Sequence, residues 1–142
     1  MIGENEQQGT ADWYFRVTRP GRPVYMAAPD FEVRGSAAAE SAKLLSKVVW
    51  NDLEFASIYR IVQKRLYRLA GKAIPSAIDY YQWESIGTDI LILGAAEIQG
   101  EKLVSEVRIY AVQAQQMVFG KRYEGSLRSA RDMAHKISDD IL

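Results

Sequence analysis

His135 is the only histidine in the chain. Asp132 lies three residues before it and Asp139 four after it, on what reads as one helix. A histidine beside carboxylates can act as a general base or form half of a metal site. No second histidine, no cysteine and no nucleophile at motif spacing joins it, and catalysis needs several roles converging on one point. The trio reads as a surface pair at helical spacing, worth roughly a few tenths of a kcal/mol. Neither a catalytic residue nor a metal site is expected.

The stretch between Phe55 and Ile78 carries Arg60, Lys64, Arg65, Arg68 and Lys72 and no acid, with Tyr59 and Tyr67 interleaved. Basic grooves with stacking aromatics bind single-stranded RNA, so an RNA-binding module is one reading. The other is a solvated loop whose tyrosines pack on the domain. The next segment, 73–101, holds Asp79, Glu84, Asp89, Glu97 and Glu101 and no base. The local charges cancel, and nothing sustains a basic face across the fold.

Glycines at 87, 94 and 100 surround the apolar run "DILILGAAEI". A phosphate loop places its glycines ahead of a helix N-terminus, where free N–H groups meet the anion. Here Gly87 precedes a strand, Gly94 lies within one and Gly100 sits in the turn "QGEK" between two. Gly94 is expected to mark a bulge or a close backbone approach. Trp83, with Tyr80 and Ile86, could line a ligand pocket, but aromatics at helical spacing more often seal a short helix on a sheet. No cofactor is implied.

These residues must be held by elements that the hydrophobic pattern places. "WYFRVT" (13–18) and "PVYMAA" (23–28) read as strands of a hairpin around the turn "RPGR". Ser36 is expected to cap a helix over 37–55, with Ala38, Ala42, Leu45, Val49 and Leu53 on one stripe. "SIYRIV" (57–62) reads as a strand and 63–75 as a basic loop. Ser76 begins a short helix that ends near Gly87. Residues 89–98, apolar on both faces, read as a central strand. Strands follow at 103–112 and 117–125. From Ser126 a last helix puts Leu127, Ala130, Ala134, Ile137 and Ile141 on one stripe. The order is ββαβαβββα, an α/β chain with one sheet and no internal repeat.

The totals fit a single domain over 12–142 after a disordered lead-in over 1–11. The chain has 142 residues, 48% hydrophobic and 25% charged, which is ordinary globular composition. Eighteen basic residues balance eighteen acidic ones, so no global field draws nucleic acid or anionic membrane. The absence of cysteine excludes disulfides and thiolate chemistry. No apolar run approaches the length of a spanning helix. The N-terminal "MIGENEQQGTADW" lacks the basic start and apolar middle of a signal peptide, so an exported precursor would have lost its signal.

Four segments together resemble the N-terminal α/β domain of the TolB family, the periplasmic component of the Tol-Pal envelope system. They are "RPVYMAAPDF" (22–31), "RIVQKRLY" (60–67), "AIDYYQWESIGTDILILG" (77–94) and "RDMAHKISDDIL" (131–142), in family order. The resemblance implies a mixed β-sheet with helices packed mainly on one face, similar to anticodon-binding domains of some tRNA synthetases. It implies protein-protein interaction without catalysis, in the periplasm, in a system serving cell-envelope integrity, cell division and protein transport. In that family a six-bladed propeller that binds Pal follows this domain. The chain reaches Leu142, where the propeller would begin, so Pal binding is not carried over. The family's extreme N-terminus can engage TolA, but "ENEQQGTADW" does not match that short motif, and TolA remains one possible partner. The working surface would be an exposed sheet edge and the N-terminal arm, with Trp13, Tyr14 and Arg16 as candidate partner-binding residues. His135 would cap or pack the last helix, and Trp83, Gly87 and Gly94 would be structural. Arg60, Lys64, Arg65, Tyr67 and Arg68 carry the alternative RNA reading. A small-molecule sensor or enzyme is the third.

Overall fold

The computed structural model describes residues 21–142. The expected strand at 13–18, the lead-in at 1–11 and the candidates Trp13, Tyr14 and Arg16 lie outside them. Strands β1 (Tyr25–Ala27) and β2 (Glu32–Arg34) precede helix α1 (Ala39–Ala56). Strand β3 (Arg60–Ile61), helix α2 (Tyr67–Ala70) and helix α3 (Tyr80–Ser85) follow. Three long strands, β4 (Ile90–Gln99), β5 (Lys102–Ala111) and β6 (Gln116–Ser126), lead to helix α4 (Ala130–Ile141). They form one six-stranded mixed sheet in the order β3-β1-β4-β5-β6, with β2 also paired to β4. The chain is thus an α/β fold, as expected.

β4 organises the sheet. Its first residues pair with β1 (Met26↔Ile90, Ala27↔Leu91) and its later ones with β2 (Glu32↔Ala95 to Arg34↔Glu97), both parallel. β1 and β2 therefore lie end to end along one edge of β4, while β5 runs antiparallel along the other. Gln99 pairs with Lys102, so Gly100 and Glu101 make the whole reversal. Gly100 has φ +64°, the positive φ that a two-residue hairpin requires.

Alternation along β4 sends Ile90, Ile92 and Ala96 to one face and Leu91 and Leu93 to the other. On the first face lie α1, through Ala42, Leu45, Val48, Val49 and Leu53, and α4, through Ala130, Met133, Ala134, Ile137 and Ile141. This face carries the larger core. On the second face the short helices bury Ala70 and Trp83 with Leu91, Leu93, Tyr110 and Val112.

Several local expectations change. The first arm of the expected hairpin lies outside the described residues; within them, β1 pairs in parallel with β3 (Tyr25↔Arg60) and with β4 (Ala27↔Leu91). "EVR" forms β2, which is absent from the expected strands because three residues are too few to show an alternation. Ser36 makes no capping hydrogen bond; residues Ser36–Ala38 form a 3-10 turn after Gly35, which has φ +87°. The short helix starts at Tyr80, not Ser76, because the Asp79 side chain accepts from the Gln82 N–H (3.1 Å) and caps it. Ile74 and Ala77 bridge each other across Ser76 instead. Ser57, with φ 59°, ends α1 in the left-handed region, and "SIYRIV" keeps only Arg60–Ile61 as strand. The basic loop contains a 3-10 turn, Lys64–Leu66, and then α2. The last helix is preceded by another such turn, which leaves Leu127 at 47% exposure, off the buried stripe.

Candidate functional site

His135 Nδ1 lies 2.6 Å from Asp52 Oδ2, on α1. The carboxylate it meets comes from the neighbouring helix, not from Asp132 or Asp139, because the two long helices pack side by side. The pair is a helix-to-helix link at the surface. Among the described residues, no group of three or more acidic, histidine or cysteine side chains could hold a metal ion.

The basic segment disperses. Lys64 Nζ contacts Asp30 Oδ1 (2.8 Å) and lies 4.9 Å from the centre of the Trp50 ring. Arg65 bonds Gln63 (2.8 Å). Arg60, Arg68 and Lys72 are exposed. The acid that meets this segment, Asp30, lies outside 79–101. The tyrosines are turned inward. Tyr59 is buried in the larger core. Tyr67 meets Trp83 edge-on, centroids 5.3 Å apart. Its hydroxyl donates to the Val62 carbonyl (2.9 Å) and accepts from the Ala28 N–H (3.0 Å). Burial pushes its hydroxyl pKa up to about 12. Neither ring is free to stack on a base, which removes the feature that motivated RNA.

Trp83 is buried at 1% exposure and fixes α3 to the sheet. The segment after it is a clamp. Gly87, with φ +93°, turns the chain so that the Thr88 N–H reaches the Trp83 carbonyl (3.1 Å). Asp89 then grips β1: its backbone N–H donates to the Tyr25 carbonyl (2.8 Å) and its carboxylate accepts from the Tyr25 N–H (2.9 Å). Asp89 was not singled out in the sequence; its place beside a glycine at the start of a central strand was the available signal. At Gly94 there is no bulge. The β4–β5 register runs unbroken through it, and the irregularity lies between Ile109 and Tyr110. A Cβ at Gly94 would sit 2.6 Å from the Phe31 ring, so what approaches closely is a side chain.

The part of the second face left open by α2 and α3 is ionic. Glu106 accepts from Arg34 (2.8 Å), with Arg108 and Arg122 each at 3.8 Å. The Arg34 hydrogen bond is the main reason its carboxyl is held below the usual range, against the opposing effect of burial. This cluster spans β2, β5 and β6 and was not foreseen. The alternation of Glu106 and Arg108 was visible in the sequence, but the pairing with Arg34 requires the sheet order.

Two clefts flank β1 and β2. One, about 420 Å³, lies between β2 and α1; the other, about 330 Å³, lies beside β3 over Ile86 and Gly87. Neither of these two clefts gathers groups suited to bond breaking.

Comparison with known proteins places the chain in a family. The chain is 34% identical over 112 residues to the Tol-Pal system protein TolB of Syntrophotalea carbinolica, covering 76% of this chain and 26% of that protein. It thus spans about a quarter of the length of the curated relatives it matches. The crystal structure of TolB from Acinetobacter baumannii superposes with a TM-score of 0.67 at 20% identity, over 86% of this chain and 28% of that one. The LpoB C-terminal domain from Escherichia coli shares the fold at a TM-score of 0.58 and 11% identity, over 84% of this chain and 95% of that one. The family model for the TolB amino-terminal domain matches residues 16–118, and with the clamp and sheet described above, the chain belongs to that family.

Proposed function

We propose that the chain is a non-catalytic protein-interaction domain of a TolB-like component of the Tol-Pal system, acting in the periplasm in envelope integrity and cell division. One observation carries this reading: the match to the TolB amino-terminal domain extends over residues 16–118. The partners are proteins of the Tol system, TolA among them; Pal would require the propeller that follows this domain in the family. No helix among the described residues is long and apolar enough to cross a membrane. Purified chain, tested against purified Tol-system proteins by calorimetry, is expected to bind at least one of them. Absence of binding by both this chain and a propeller-bearing TolB protein would overturn the reading.

A further inference from the structure

β2 is a free edge. It pairs with β4 on one side, and no described strand lies on the other. Val33, at its centre, is 46% exposed. An unpaired edge presents main-chain donors and acceptors that an added strand can take up. Beside this edge runs the cleft against α1, about 420 Å³, floored by Phe31, Ala42 and Trp50. Phe31 N–H donates to Ser46 Oγ (2.8 Å) and pins the start of β2 to the helix. The opposite rim is basic. Lys43 and Lys47, one helical turn apart on α1, line it and form no ion pair among the described residues. Asp30 is the only acid in the lining, and it is engaged by Lys64 at one end.

We propose that this cleft receives an extended acidic peptide of a partner protein. The peptide adds a short strand to β2, sets an apolar side chain on Phe31 and Trp50, and places carboxylates against Lys43 and Lys47. Charge selects this occupant. The lining holds Lys43, Lys47 and Lys64 against Asp30 alone, although the chain as a whole has no net charge. A second copy docked about a two-fold axis would bring the same lysines against each other. A nucleic acid would need an open aromatic face, and Lys64 covers Trp50. The proposal rests on the interaction-domain reading and names the surface it uses.

The test titrates the chain with a fluorescein-labelled peptide that alternates valine with glutamate; the control peptide carries lysine for glutamate. The glutamate peptide is expected to bind, more weakly as salt rises, and to shift the Val33 and Arg34 amide resonances. The lysine peptide is expected not to bind. Lys43→Glu with Lys47→Glu, both on the exposed side of α1, should weaken binding about tenfold with the amide spectrum otherwise intact. Equal affinity for the double variant, or shifts confined to other surfaces, would overturn the proposal. Concentration-dependent dimerisation that blocks the peptide would assign the cleft to a second copy. Tighter binding after removal of residues 1–12 would assign it to the chain's own acidic start. Either outcome also overturns the proposal. If a Tol-system protein binds the double variant as well as the native chain, the cleft is not the partner site and the interaction-domain reading stands.

Discussion

The two faces of the sheet are built from the same strands but finished differently. Under α1 and α4 the face is mostly apolar, from Met26 and Ile90 to Val107 and Phe119, with the buried Ser105 and the Lys121–Asp140 ion pair (3.0 Å) among its exceptions. The opposite face is divided. Half is sealed by α2 and α3 around Trp83, and half is open and surfaced by Glu106 with Arg34, Arg108 and Arg122. Strand alternation offers each strand two faces, but helices must arrive to make a face dry. Where the short helices stop, ion pairs replace apolar side chains. A long helix buries a stripe almost independently of its neighbours, whereas the short helices depend on single large anchors and on hydrogen bonds to fixed backbone.

This difference predicts that single substitutions on the divided face act out of proportion to its size. The largest effect is expected at Trp83, the one large anchor of α3. Trp83→Ala should lower unfolding free energy by about 3–5 kcal/mol, and a denaturant midpoint that barely moves would show that α3 does not depend on it. Tyr67→Phe should cost about 1–3 kcal/mol, since it strands the Ala28 N–H and the Val62 carbonyl. The same variant has a pH signature. With its hydroxyl raised from 10.0 to about 12, the native protein loses stability as pH rises between those values. The variant should lack that part of the alkaline loss in thermal melts.

On the long-helix face, Gly94→Ala drives a Cβ into the Phe31 ring. It should cost about 1–3 kcal/mol, unless the ring moves freely into the β2 cleft. Wild-type stability there would indicate a soft cleft floor. Glu106→Gln should cost about 1 kcal/mol at neutral pH. Its carboxyl is held below its ordinary value, chiefly by Arg34. Its contribution is therefore complete above that ordinary value and is lost as pH falls through the lowered one. The gap between native and variant, followed by acid titration of the melting temperature, should close in that window. The smallest effect is expected at His135→Ala, an exposed pair with Asp52, at about 0–1 kcal/mol.

Much of the architecture was legible. The apolar run at β4, the alternation in β5 and the stripes of α1 and α4 follow from periodicity, because each repeats over many residues. Short elements were not legible. β2 and β3 are three and two residues long, and they exist because β4 and β1 offer them pairing partners. Asp79, not Ser76, caps α3, since where the helix begins depends on where the preceding chain turns. Of the candidate residues, Trp83 and Gly87 could be read from local spacing. The true partner of His135, the inward turn of Tyr59 and Tyr67, and the cluster at Glu106 could not, since each joins residues far apart in sequence.

By itself the sequence determined the long strands, the long helices and the family resemblance, all of which depend on residue type at short spacing. The tertiary structure alone decided which edges stay unpaired, which charges meet, and that β2 lies beside a lysine-lined cleft. Those features depend on strand order and helix placement, which bring distant segments together, and short-range periodicity carries no information about that order.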